Sequence, residues 1–211
     1  MRTITRWLLL AASLFCLAGA SQAQEHHFTV NVGGGYTPVA GRIGHSLDNG
    51  FNVFFGAGYA FSSHFEANIE GGYNGFGLTR GLIDASGAPG GNAHVWSVTV
   101  DPKLRLGRER TVDPYVVGGV GYYWRTINFT QPTVVPITVF DPFFGFVTGL
   151  APATQTLSSF TEGGVGGNLG AGFDMKLGSR GMRFFTEARY HYADTGRMPT
   201  RMVPITVGIR W

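Results

Sequence analysis

Val203-Pro-Ile-Thr-Val-Gly-Ile-Arg-Trp211 ends the chain, and its alternation sets Val203, Ile205, Val207, Ile209 and Trp211 on one face of a strand. The run stops on an aromatic residue while still inside the strand pattern. Working back from this stretch, the same period of two recurs. Phe28, Val30, Val32, Gly34 and Tyr36 alternate with Thr29, Asn31, Gly33 and Gly35. Phe51, Val53, Phe55, Ala57, Tyr59 and Phe61 form a second segment, and Phe65, Ala67, Ile69, Gly71 and Tyr73 a third. The fourth runs from Trp96 to Leu104, the fifth from Pro114 to Trp124, the sixth from Leu169 to Leu177 and the seventh from Phe184 to Tyr192. With the terminal strand the set numbers eight, each about ten residues long, which is what a tilted strand needs to cross a bilayer.

Composition agrees with strands. The chain has 33 glycines and 14% aromatic residues, which disfavours helices and suits a pleated wall. After the N-terminal run no stretch offers 18 consecutive apolar residues, so helical spans are not expected. At the start, Arg2 and Arg6 precede an apolar run from Trp7 to Ala18, and Ala18-Gly-Ala20 and Ser21-Gln-Ala23 are small-x-small sites. Residues 1–23 are therefore expected to be a cleaved secretory signal peptide, leaving residues 24–211 as a single domain. Removing Arg2 and Arg6 takes Lys+Arg from 16 to 14 against 13 acids, so the mature chain is near +1. Cys16, the single cysteine, goes with the leader and lacks a lipoprotein-type small residue before it, so no disulfide or thiolate chemistry is expected.

Alternation alone would also fit a soluble sandwich. The loop rhythm decides between them: Phe61-Ser-Ser-His-Phe65 and Leu177 to Phe184 are short, whereas Thr37 to Gly50, Gly75 to Ala93 and Thr126 to Glu162 are long. Short turns on one side and long loops on the other are the layout of an outer-membrane barrel. With both termini periplasmic, Phe61, Phe65, Phe184 and Trp211 fall at the inner interface. Tyr36, Phe51, Tyr73, Trp96, Trp124 and Tyr192 fall at the outer one, giving two aromatic belts.

The opposite face is expected to carry an interior charge network: Glu66, Glu70, Asp101, Asp174 and Glu187 against Lys103, Arg105, Lys176, Arg189 and Arg210. Unpaired buried charges are costly, so balanced signs point to ion pairs filling the barrel. Inward Gly56, Gly58, Gly119, Gly121, Gly170 and Gly172 leave room for those side chains. Eight strands enclose only the space that side chains fill, so a structural core is expected rather than a wide pore, with a narrow channel as an alternative.

In the third long loop, TVVPITVFDPFFGFVTGL (133–150) is apolar with Asp141 its single charge. Asp141-Pro142 marks a turn between two extended runs, so the expectation is a hairpin prolonging strands five and six and covering the barrel mouth. A sticky surface for a partner, lipid or neighbouring barrel, or two further membrane strands, are the alternatives.

The chain resembles small bacterial outer-membrane β-barrels such as the membrane domain of outer-membrane protein A. The resemblance rests on the final strand, Gly167-Asn-Leu-Gly-Ala-Gly-Phe-Asp174 and Phe184-Phe-Thr-Glu-Ala-Arg-Tyr-His-Tyr192. It implies an all-β, eight-stranded antiparallel up-and-down transmembrane β-barrel in the bacterial outer membrane. In that family the Val203, Ile205, Val207, Ile209, Trp211 pattern is similar to the signal read by the barrel-assembly machinery. That machinery and periplasmic chaperones would be partners in biogenesis, with outer-membrane lipid and lipopolysaccharide around a monomer. No nucleic acid or cofactor is implied.

Enzyme motifs fail: no phosphate loop, no Gly-x-Ser-x-Gly elbow, and no ligand spacing among His26, His27, His45, His64, His94 and His191. One constellation, His45 with Ser46 and Asp84 with Ser86 in the outer loops, resembles the layout of the lipid A palmitoyltransferase, an eight-stranded barrel that transfers acyl chains. That family carries a helix before its first strand, for which Gln24-Glu-His-His27 leaves no room. An acyltransferase is thus kept as an alternative to a structural or loop-mediated role.

Overall fold

The computed structural model describes residues 28–107, 111–178 and 181–211, without the side chains of Arg42 and Ile43. The leader expected over residues 1–23 lies outside the described residues. The first three strands are β1 (Phe28–Thr37), β2 (Gly50–Ala60) and β3 (Phe65–Gly77), followed by β4 (Gly90–Arg105). Next come β5 (Val112–Asp141) and β6 (Gly145–Lys176), then β7 (Arg183–Ala193) and the segments β8 (Thr200–Met202) and β9 (Ile205–Arg210). From β1 to β7 each pairs antiparallel with its sequence neighbour, β8 and β9 both pair with β7, and β9 returns to β1, so the sheet closes into a ring of eight strand positions.

β8 and β9 share the eighth position because of Pro204. The terminal strand expected from Val203 is interrupted there, since proline has no amide to donate to a ladder. The chain stays in place through other bonds: Val203 N donates to Pro38 O and Arg189 N donates to Pro204 O. The β1–β9 seam has six register pairs, Asn31↔Arg210 to Tyr36↔Ile205, extended by the reciprocal Val30–Trp211 backbone bonds.

The wall follows the alternation. Tyr59, Phe61 and Phe65 meet in series, the first pair edge-on and the second tilted, at the end bearing the termini. Near the far end, Tyr73 meets Trp96 edge-on at 4.8 Å, and Tyr122 lies 4.8 Å from Trp124. These exposed rings form two belts of the kind that mark the two faces of a membrane.

Strands five and six reach far beyond the ring. β5 has 30 residues and β6 has 32, although β4 begins, at Gly90, against Thr130 and β7 ends, at Ala193, against Gly166. The stretch expected as a hairpin over 133–150 is continuous ladder, closing on Asp141↔Gly145, with Gly145 in the left-handed region at φ +76°. A three-residue turn ending on such a glycine is a standard hairpin closure. Two further membrane strands are not formed; the ring stays at eight. Nor does the hairpin cover the mouth: its side chains are largely exposed on both faces.

Where it leaves the wall, the ladder shifts register between Phe129 and Thr130, pairing with Ser158 and Thr156, so Leu157 forms a bulge. Beyond the bulge the chemistry changes. In the wall β5 points Tyr123 and Arg125 inward, but along the hairpin the same face carries Val135, Ile137 and Val139.

Candidate functional site

The lumen is built in layers. At the end bearing the termini, two hubs of opposite sign organise the charges. Asp174 on β6 receives Lys103 Nζ at 3.2 Å, Arg210 Nη1 at 2.9 Å and Arg105 Nε at 3.5 Å. Arg189 on β7 reaches Glu70 at 2.8 Å, Asp101 at 3.4 Å and Glu187. Arg105 also holds Glu66 at 2.6 Å, joining β4 to β3. Nine of the ten charges expected inside are thus gathered into two ion-paired clusters. The tenth, Lys176, is exposed: it shares the inward side of β6 with Asp174 but lies past the last interior layer, at the rim beside Arg183.

Glycines make the room. A Cβ on Gly56 would lie 2.8 Å from Glu70 Cγ, and one on Gly172 would lie 2.7 Å from the Tyr115 ring. A Cβ on Gly119 or Gly170 would meet Asp101 or Arg189. The long polar side chains occupy the volumes these glycines vacate.

Several interior residues carry no charge pattern to reveal them. Tyr115 donates to Glu187 at 3.0 Å while Lys103 Nζ sits 3.4 Å above its ring. Phe54 packs on Phe185 at 5.7 Å, and Tyr123 shares a 3.0 Å bond with His191 Nδ1. All fall on the nominally polar face of their strands, where alternation hides an aromatic. Asp113–Arg183 at 2.7 Å and Arg125–Glu162 at 2.6 Å add ion pairs at the two rims. Their signal is the alternation itself, which continues past Pro114, Trp124, Leu169 and Phe184. Above the hubs lies a cavity of about 40 Å³, bordered by Asn52, Glu70, Thr99, Arg189 and His191.

The far mouth is sealed by apolar side chains. Leu47, Phe76, Leu78, Val95, Tyr123 and Met202 bury one another across it, with Leu82, Ile83 and Phe129 packed against them. The first two outer loops supply the lid. Thr79 N donates to Ser46 O at 3.0 Å, Thr79 Oγ1 donates to His45 O at 2.9 Å, and Asp48 N donates to Gly77 O at 2.9 Å. Leu47 and Leu78, which bridge each other, drop inward from that junction. Arg125 pins the last outer loop, donating to the carbonyls of Met198 at 2.8 Å and Thr195 at 3.2 Å.

The same junction brings the backbones of His45, Ser46 and Thr79 together, but it does not assemble chemistry. Ser86 ends the short helix α1 (Arg80–Ser86): its hydroxyl donates to Ile83 O at 2.8 Å and accepts from Ala88 N at 3.2 Å. Among the described residues, no hydrogen bond links the His45 ring, the Asp84 carboxylate and the Ser86 hydroxyl. Nor do three His, Cys, Asp or Glu side chains gather to hold a metal.

The model of the outer membrane protein beta-barrel domain matches residues 7–210. Among solved structures, Neisserial surface protein A aligns with a TM-score of 0.55 at 14% identity, over 87% of this chain and 96% of that one. Ail, the attachment invasion locus protein of Yersinia pestis, solved with the heparin analogue sucrose octasulfate, aligns at 0.48 and 18%, over 88% and 99%. No curated protein matches the sequence. At these identities the likeness is one of fold.

Proposed function

Since this chain belongs to the outer membrane protein β-barrel family and so resides in the bacterial outer membrane, we propose that it is a sealed, non-enzymatic scaffold acting through its outer loops. The observation that carries this reading is the apolar lid of Leu47, Leu78, Val95 and Met202, closed over a fully paired charge network. A conduction path needs a continuous wet column, and an apolar constriction of this kind excludes water. Balanced hubs also favour neither ionic sign. The hairpin end faces outward, as the short turns and the chain termini share the opposite end.

The acyltransferase alternative has no support in the geometry around Ser86, whose hydroxyl caps a helix. The test is single-channel recording of the purified protein in a planar bilayer, paired with a heat-modifiability gel to certify a closed barrel. Heat-modifiable, silent protein is expected. Steady open events would turn the charge network into a conduction path and overturn the sealed core.

A further inference from the structure

Residues 140–146 hold four phenylalanines in seven positions, and all four stand in solvent: Phe140 is 66% exposed, Phe143 91%, Phe144 81% and Phe146 79%. They crown a hairpin whose tip, Asp141, lies 17 residues along β5 from the belt residue Trp124. That is roughly 55 Å of strand, far enough to hold the tip clear of the bilayer in which the barrel sits. We propose that this tip docks into the surface of a facing, uncharged lipid bilayer. The proposal rests on the orientation given above, in which the hairpin points away from the cell.

The tip is prepared for an apolar medium. Asp141 Oδ1 accepts from Phe143 N at 2.8 Å and from Phe144 N at 3.1 Å, so the amides of the turn keep their partners when water leaves. Phe140 and Phe146 brace each other edge-to-face at 5.4 Å across the strands below. Aromatic rings at the end of a rigid rod favour the boundary between headgroups and acyl chains.

Depth is limited by the shaft. Past Thr130 and before Gly166 the outer edges of the hairpin have no neighbouring strand among the described residues, and lipid offers no hydrogen bonds to open edges. The rings enter and the ladder stays outside. Charge selects the surface. Between Arg125 and Glu162 the sequence has one charged residue, Asp141, so nothing draws the tip to an anionic membrane and its carboxylate opposes one.

A second copy of the hairpin fits less well. About eleven paired residues make a ribbon face of roughly 360 Å² per copy, which leaves a pair short of the ~1,200 Å² of a stable interface. Edge-to-edge addition is also blunted. Even-numbered β5 residues turn their backbone groups toward β4, as Pro114 O does in accepting from Leu106 N. Pro132 and Pro136 therefore line one open edge, and Pro152, paired with Val134, lines the other.

The test uses the protein in nanodiscs, mixed with separate phosphatidylcholine vesicles and floated on a density gradient. Co-flotation is expected, with roughly tenfold weaker apparent affinity for the double variant Phe143→Ser, Phe144→Ser, and weaker binding when the vesicles carry phosphatidylserine. Absence of wild-type co-flotation, or equal co-flotation of the variant, overturns the proposal. Nanodiscs that associate with each other while ignoring vesicles overturn it in favour of a second copy. The variant is exposed and outside the wall, so heat-modifiability certifies that it folds. A silent barrel that fails to bind vesicles leaves the scaffold reading intact, whereas conductance with binding removes that reading and leaves the docking in place.

Discussion

Arg189 Nη1 lies 2.8 Å from Glu70 Oε2, joining β7 to β3 across the lumen although the two strands share no ladder. The contact is a strut: it fixes the width of the barrel by side chains, where the wall fixes only its circumference. Replacing Arg189 with Leu strands Glu70, Asp101 and Glu187 in a buried site and is expected to cost about 3–5 kcal/mol. Glu70→Gln, which keeps a hydrogen-bonding partner, is expected to cost less. Urea unfolding in lipid vesicles, followed by heat-modifiability, reads both; equal, small losses would mean the strut contributes little.

Gly172→Ala places a methyl 2.7 Å from the Tyr115 ring and against Thr186 O. The ring must move off Glu187, and a loss of about 1–3 kcal/mol is expected from overpacking. The paired variant Gly172→Ala, Tyr115→Leu should recover part of it. A lack of recovery would place the strain in the backbone contact.

The hairpin adds no pairing to the ring. Replacing residues 131–155 with a tight turn is expected to leave a closed, heat-modifiable barrel whose stability changes by about 0.5 kcal/mol or less. A failure to close would show that the hairpin guides assembly of β5 against β6.

Deleting Trp211 removes the last reciprocal backbone pair with Val30 and the terminal aromatic. The amount of folded protein in the outer membrane is expected to fall severalfold. In purified, refolded protein the loss should stay near 1 kcal/mol. Normal membrane levels of the truncated chain would show that assembly does not depend on Trp211.

The wall was legible in the sequence because period-two alternation is imposed by lipid on one side and packed side chains on the other. Glu70, Asp101, Asp174 and Arg189 could be assigned inward on parity alone. Parity did not reveal where the wall ended. Lys176 has the same parity as Asp174 yet lies in solvent, and β5 and β6 continue past Trp124 and Gly163 with a pattern that no longer alternates. Tyr115, Tyr123 and Phe185 are hidden for a related reason: an aromatic ring on the inward face serves as packing for charged neighbours and so breaks the polar side of the alternation. The lid of Leu47 and Leu78 depends on loops docking through the backbones of His45, Ser46 and Thr79, and backbone hydrogen bonds leave no mark in residue type.

The split of the eighth strand at Pro204 has a consequence for how the wall gives way. Thirty pairs join β5 to β6 and ten join β1 to β2, but β9 meets each of its neighbours, β1 and β7, over six. Thermal breathing concentrates where a cooperative ladder is shortest, so amide exchange should be fastest along β9, beginning beside Pro204. The wall thus keeps one lateral weak line, along the strand that closes the ring.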